Sequence, residues 1–441
     1  MIPEAATGER ATELAAACDE AWALGRGAAR GAPAGVRVSV VVPLARATLA
    51  DLVDDARLGA LWAWDARALG DPISVVARGA AASADDGPGL AREVDGWLGG
   101  LIDHGRDAPP PRVLAALPFD AADTRESAWG PLARGVATLP RWTMTDDGGR
   151  RSLRLIATAH ELERPLPPWA PPRRARAPRV TGRSGGDDGY LSLVARALLA
   201  LTPEVTKLVV ARAIELSLRE PVTAEQALAA LGETSGLATF AVAAGARAFV
   251  GATPERLVLR RGARIESEAL AGTRRAGDGG ALTLSDKDRR EQEIVRAAIT
   301  ARLVDLGARV APAEAATERA AGSVVHLTTR VSATLDGGPS ALALARALSP
   351  TPAVSGHPAG HALAWLRAHE APRGLYAGPV GWVEAGGDGH FVVGIRSALL
   401  SGARVHAWVG AGVVDGSSPA RELDETRWKA ETLLGLLGLD R

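Results

Sequence analysis

The sequence predicts an α+β protein, and three observations carry that reading. Short β-prone runs cluster into two antiparallel meanders, strongly patterned helices frame them, and no dinucleotide-binding glycine fingerprint follows any strand. At 441 residues the chain can bury a large core, as one big domain or as two or three ordinary ones. It falls into a first part, 1–159, a Pro/Arg/Gly-rich connector, 160–189, and a pattern-dense remainder, 190–441.

In the first part RVSVVVPLA (Arg37 to Ala45), PISVVARGA (Pro72 to Ala80) and RVLAALPF (Arg112 to Phe119) read as strands between Ala-rich helical runs. DDGG between two further β-prone runs is a hairpin signal. From His160 to Gly189 no apolar period survives, which predicts an exposed loop. Tyr190 to Leu201 reads as a helix. Val205 to Leu216 satisfies a helical spacing yet holds a Val-Val run, and strand is favoured around Val209. The segment from Ala238 to Leu270 reads as a meander of short strands with glycine turns. SDKDRREQEIVRAAITARLVDLG is the clearest helix: Ser285 can cap it, Asp286 and Asp288 suit its positive end, and Ile294, Val295, Ala298, Ile299 and Leu303 form its apolar stripe. Strands follow at SVVHLTTRVSATL, GPVGWVEA, HFVVGIRSALLSG and RVHAWVGAGVV. A last helix opens at Ser418 with Pro419 in its first turn and turns Leu423, Trp428, Leu433, Leu434 and Leu437 inward.

Acidic and basic residues balance at 51 each, which argues against nucleic acid or a membrane surface as the main ligand and favours a small molecule. The single cysteine, Cys18, forms no internal disulfide, no signal-like segment opens the sequence, and no apolar run approaches the ~20 residues that span a bilayer. A soluble, cytoplasmic protein is expected.

Among the 51 basic residues only Lys207, Lys287 and Lys429 are lysines. Arginine stays charged at any working pH, whereas a desolvated lysine can give up its proton and act as a base. Lys207, inside VTKLVVARAIEL, therefore reads either as a base or as a chance survivor of a bias toward arginine. Two helices carry acids three apart, Asp288 with Glu291 and Glu422 with Glu425. Each pair projects from one helical face, as Mg²⁺ ligands or as solvated charges beside neighbouring arginines. In GAGVVDGSS the glycines Gly410 and Gly412, on either side of Ala411, suit close backbone approach to an anion, or an ordinary turn after a strand. Arg396, in the apolar strand HFVVGIRSALL, needs a compensating carboxylate from ligand or protein. Tyr376 is an anion donor or a core tyrosine, and His326 a ligand donor or a structural strand histidine. Glu255, after a proline at a strand end, is a desolvated general acid or a turn acid paired with Arg256.

Taken in order, KLVVARAIEL, FVGATPERL, SEALAGTRRAG, SDKDRREQEIV, VVHLTT, LSPTPAVSGHP, RGLYAGPVGW, GHFVVGIRSALL and GAGVVDGSSPARELDETRWK closely resemble the chorismate-utilising enzymes, and within them the isochorismate synthases. The resemblance covers nearly everything from Tyr190 onward; the first third matches loosely. It implies one α+β domain of two stacked antiparallel sheets with helices outside and the site between them. By the same resemblance Lys207 is the base that activates water and Glu255 the general acid. Glu291 and Glu422 are Mg²⁺ ligands, with Asp288 and Glu425 supporting through water. Tyr376, Arg396 and the Gly410–Gly412 segment hold the carboxylates of chorismate, and Thr273 and His326 line the ring pocket.

The implied reaction adds water at C2 of chorismate while the C4 hydroxyl leaves, with Mg²⁺ drawing electrons through the ring carboxylate. Lys207 must be uncharged and Glu255 protonated, and burial in one cleft favours both. A lysine at 207, where anthranilate and aminodeoxychorismate synthases carry glutamine, implies water as nucleophile and no glutaminase partner. Ala271, where aminodeoxychorismate synthases place a lysine, points the same way. Salicylate synthase is the alternative enzyme, a silent chorismate- or partner-binding homologue the alternative of another class. Menaquinone synthesis is favoured over a catechol siderophore as the destination, and a monomer is expected. Departures from the family's wording fall at Thr253, Gln292, Ser349 and Ser355, of which Gln292 bears on the surroundings of the metal.

Overall fold

The computed structural model describes residues 8–55, 58–105, 107–167, 178–232, 236–275, 286–321 and 324–439, with the side chains of 8, 271, 273–275 and 286–288 excepted. In chain order the first part contains α1 (Gly8–Ala29), β1 (Arg37–Leu44), α2 (Leu49–Val53), β2 (Leu61–Asp65), β3 (Ile73–Ala84), α3 (Leu90–Gly99), β4 (Leu101–Asp103), β5 (Arg112–Ala116), β6 (Val136–Asp147), β7 (Arg150–Thr158) and α4 (Ala159–Leu162). Then come β8 (Val180–Ser184), α5 (Asp187–Ala200), β9 (Lys207–Leu218), α6 (Ala224–Leu231), β10 (Ala238–Ala244), β11 (Arg247–Thr253), β12 (Arg256–Arg261), β13 (Arg264–Arg275) and α7 (Asp286–Asp305). The chain ends through β14 (Arg309–Val310), β15 (Thr317–Ala321), β16 (Val324–Thr334), α8 (Ala341–Leu348), β17 (Gly356–His357), α9 (Ala359–His369), β18 (Pro379–Glu384), β19 (Gly389–Val393), β20 (Ser397–Ser401), β21 (Arg404–Val413) and α10 (Pro419–Leu436).

The strands hydrogen-bond into one continuous sheet, antiparallel except where β1 meets β4. One arm runs β4–β1–β7–β6–β3–β2–β10–β11–β20–β21–β9. The other runs β6–β5–β18–β19–β12–β13–β16. β6 bonds to both β3 and β5, so the two stacked layers are arms of a single sheet that meet at this strand. Trp62, Phe240, Phe249 and Leu399 of one arm share a buried cluster with Val258, Ile265, Trp382 and Phe391 of the other. The opposite face of the first arm is sealed by Leu14 and Trp22 of α1, Leu228 of α6 and Leu433 of α10.

The hairpin expected at DDGG forms between β6 and β7, with Gly148 and Gly149 at φ +60° and +92°, a region that glycine enters without strain. The lean toward strand at Val209 is right, because β9 runs along the whole of β21. Two expectations change. Residues 180–184 of the supposed loop form β8, because their backbone completes the edge of β9 whatever their composition. The stretch from Ala238 to Leu270 is not one meander: β11 bonds to β20 and β12 to β19, so the chain crosses between arms at Thr253–Pro254–Glu255. Proline has no N–H to continue a ladder, which is why the crossing falls there. Helix α10 has Ser418 as its N-cap and Pro419 at its start, as expected, while Ser285, the cap expected for α7, lies outside the described residues.

Candidate active site

The site is a pocket between the arms, lined among others by Glu255, Glu291, His326, Tyr376, Arg396, Gly410, Gly412, Glu425 and Lys429, with the buried Lys207 joined to it through Glu291. β9 and β21 build one wall, with Val209 opposite Gly412 and Ala211 opposite Gly410. Alternation puts Lys207 and Val209 on the pocket side and Leu208 and Val210 against α5, where they pack with Tyr190 and Val194. Gly410 and Gly412 are not a turn: both lie within β21. Their missing side chains make the approach possible. A Cβ at 412 would overlap the Glu291 carboxylate and reach 3.2 Å from Lys207 Cε, and one at 410 would stand 3.2 Å from the Tyr376 hydroxyl. Ala411, between them, is buried away from this face.

Lys207 is 0% exposed, and its Nζ forms an ion pair with Glu291 Oε1 of α7 at 2.7 Å. Glu255 is 2% exposed and its Oε1 has no hydrogen-bond partner. Burial pushes its carboxyl up to about 8; Lys207 and Lys429 oppose the rise and Glu268 adds to it. At neutral pH this is a protonated acid aimed at an empty volume. The bland reading, a turn acid paired to Arg256, does not hold: Arg256 bonds instead to Glu266 and Glu268, at 3.3 and 3.2 Å.

Arg396 sits in the break between β19 and β20 with φ +47°, and Ala377, beside Tyr376, has φ +66°. Among the described residues these are the two non-glycine residues with left-handed backbone, and both flank the pocket. The guanidinium of Arg396 is buried. It donates to the Ala321 carbonyl at 2.7 Å and to His326 Nε2, and burial pulls it down to about 10. Among the described residues no carboxylate is among these partners. His326 lines the pocket, as expected. Burial and then the charge of Arg396 hold it well below the ordinary histidine range, so it is neutral. Its Nδ1–H donates to the Gly272 carbonyl at 3.3 Å while Nε2 accepts from Arg396. Through Nε2 it also holds the Arg396 guanidinium in place. Burial raises the Tyr376 hydroxyl above its usual value and keeps it a donor.

The acids divide. Glu291 and Glu425 line the pocket, and Glu422, one turn before Glu425 on α10, is 1% exposed. Among the described residues no three metal-ligating side chains converge. The side chains of Asp288 and Thr273 lie outside what is described; the backbone of Thr273 pairs with His326 across β13 and β16, beside a register shift. Glu291, Glu422 and Glu425 are carboxylates of the oxygen-donor kind that Mg²⁺ takes; the two that face the pocket, Glu291 and Glu425, are each ion-paired with a lysine, Lys207 and Lys429. Gln292 donates to Thr329 at 2.7 Å, toward β16.

Sequence reasoning passed over Lys429, which lines the pocket and bonds to Glu425 at 2.6 Å and to the Gly410 carbonyl at 2.9 Å. The rarity of lysine that singled out Lys207 applied equally here. It also passed over a buried pair behind the wall. Arg373 donates to the carbonyls of Val209 and Val354, each at 2.7 Å, and Glu370 takes the N–H of Ala211 at 2.8 Å. This pair occupies the stretch of β9's edge between β17 and β8, so side chains stand in for a missing strand.

The pocket sets a protonated carboxyl, a buried arginine and a tyrosine hydroxyl around one cavity between the arms. The model for chorismate binding enzymes matches residues 73–438, and the chain belongs to that family. It is 34% identical over 362 residues to a putative isochorismate synthase MenF of Mycobacterium tuberculosis, covering 76% of this chain and 89% of that protein. It is 41% identical over 214 residues to the salicylate biosynthesis isochorismate synthase of Pseudomonas aeruginosa, where the match spans 46% of this chain and 45% of the relative. The solved structure of MenF, the menaquinone-specific isochorismate synthase from Escherichia coli, superposes with a TM-score of 0.78 at 26% identity, covering 96% of this chain and all of that one.

Proposed function

We propose that the protein is an isochorismate synthase, a Mg²⁺-dependent isomerase that converts chorismate to isochorismate for menaquinone synthesis. The observation that carries the chemistry is a protonated, unpartnered Glu255 on the same pocket as Glu291, whose ion-pair partner is the buried Lys207. Lys207, once unprotonated, takes a proton from water as the oxygen bonds to C2. Glu255 gives its proton to the C4 oxygen, which leaves as water while the ring double bonds shift. Protons balance: one goes to Lys207 and one comes from Glu255. Arg396 and the Tyr376 hydroxyl hold the substrate's carboxylates, and the bare strand at Gly410 and Gly412 lets Glu291, Lys207 and the Tyr376 hydroxyl close up against it. Glu291 and Glu422, with Asp288 and Glu425 through water, are the residues that would hold Mg²⁺, whose charge draws electron density from the ring carboxylate. Water as nucleophile requires no ammonia-supplying partner. The menaquinone assignment rests on the two MenF relatives, which match along most of their length.

Purified protein with chorismate and Mg²⁺ should release isochorismate, and chelation should abolish turnover that added Mg²⁺ restores. Lys207→Ala should lower kcat by about 10²–10⁴-fold. Salicylate and pyruvate as the products, full turnover by Lys207→Ala, or turnover indifferent to chelator would each refute its part of the reading.

A further inference from the structure

The peptide that carries Glu255 is gripped from both sides by one buried carboxylate. Arg319, on β15, donates from Nη1 to the carbonyl of Pro254 at 3.0 Å and binds Glu268 through both terminal nitrogens, at 2.9 Å from Nη2. Arg256, the residue after Glu255, reaches the same carboxylate at 3.2 Å. Glu268 of β13 is 2% exposed; burial raises it, but the hydrogen bond from Arg319 and the charge of Arg256 outweigh burial and keep it ionised. Two guanidiniums thus flank the crossing between the arms, one before and one after Glu255, and Glu268 ties them together. The remaining holds are weak in direction: the Glu255 N–H meets Thr253 Oγ1 at 3.3 Å, and its carbonyl accepts from Val393 N–H at 3.0 Å. Neither restrains the side chain.

We propose that Arg319 and Glu268 are positioning residues for the general acid, fixing the Pro254–Glu255 peptide so that the carboxyl stands unpartnered over the pocket with a permanent negative charge behind it. This rests on the reading of Glu255 as the acid. Among the described residues, Lys207 on β9, Glu268 on β13, Tyr376 ahead of β18 and Lys429 on α10 are the groups that act on Glu255. Of these Glu268 is the only carboxylate, so its removal changes the acid in one direction.

Arg319→Lys keeps the charge but cannot hold the carbonyl and both carboxylate oxygens at once. It should lower kcat about ten-fold or more while KM for chorismate changes less than about three-fold. Glu268→Gln deletes the like charge, takes from Arg319 its carboxylate partner and leaves Arg256 with Glu266 alone, and both effects favour ionised Glu255. The alkaline limb of kcat should therefore move to lower pH, with kcat at pH ~9 falling about three-fold further, relative to pH ~7, than in the parent. Circular dichroism and thermal melts of each variant give the folded fraction. Folded variants with the parent's kcat and alkaline limb overturn the proposal, as does a loss of activity that only follows the folded fraction. Glu255→Gln separates the two readings: if it turns over fully, the acid assignment fails; if it is dead while the other variants behave as the parent, only the positioning role fails.

Discussion

At the scale of single residues, Glu255 shows what the site costs the fold. Its carboxyl has an ordinary value of 4.5 and is pushed up to about 8 in the folded protein. Between those values the unfolded chain gives up a proton that the folded one keeps, so each pH unit removes about 1.4 kcal/mol of stability, and the loss stops above the folded value. Glu255→Gln removes this titration. The variant should gain stability over the parent progressively from pH ~5 to pH ~8, with no further gain beyond, while losing at least about 10²-fold in kcat. Urea melts at a series of pH values, set beside chorismate turnover, check both halves. A stability gap that stays flat with pH would mean that the carboxyl is not held protonated. The same residue was legible in the sequence only as a choice between two roles, because Pro254-Glu255-Arg256 reads as a local pair until the fold sends Arg256 to Glu268.

Among elements, the β9–β21 ladder decides the geometry, and its glycines are the part the sequence mislabelled. Gly410 and Gly412 resemble a turn in composition, since the sequence carries no record of what presses against the strand. The fold brings Glu291 of α7 and Lys207 of β9 to the space where the side chain of residue 412 would be. Gly412→Ala should therefore displace the Lys207–Glu291 pair and lower kcat/KM by about 10²-fold. The Cβ of Gly410→Ala would stand 3.2 Å from the Tyr376 hydroxyl and 3.3 Å from the Val210 carbonyl, a milder crowding than the overlap at 412, and should act mainly by raising KM. Steady-state kinetics on the two variants distinguish them; equal effects at both positions would refute the crowding argument. Alternation and capping made most strands and both acidic helices readable in advance. The crossing at Pro254, the strand β8 and the service of Glu370 and Arg373 along β9 depend on which edge each segment meets, and that information is distributed over partners far away in the chain.

For the whole molecule, the divide between a loosely matching first part and a family-like remainder is not a divide in the sheet. β2 lies between β3 and β10, and β5 lies between β6 and β18, so strands from before residue 159 fill places among strands from after residue 190. Trp129 makes the same point in the core. It is fully buried, stacks on Trp408 with centroids 5.0 Å apart, and meets Phe249 edge-on at 5.2 Å. Trp408 also stacks on Tyr376, so a residue of the first part supports a pocket donor through one intermediate ring. Residues 190–441 expressed alone would expose the edges of β10 and β18 and the partners of Trp129, an open, apolar surface with unpaired backbone. That fragment should give no cooperative thermal transition. In the full chain Trp129→Ala should cost about 3–5 kcal/mol, lower Tm by roughly 3–8 °C, and weaken chorismate binding along with stability. Far-UV dichroism and tryptophan fluorescence should report one coincident transition in the parent. Two separated transitions, or a fragment 190–441 that melts cooperatively, would show that the arms fold independently and that the pocket does not need the first part of the chain.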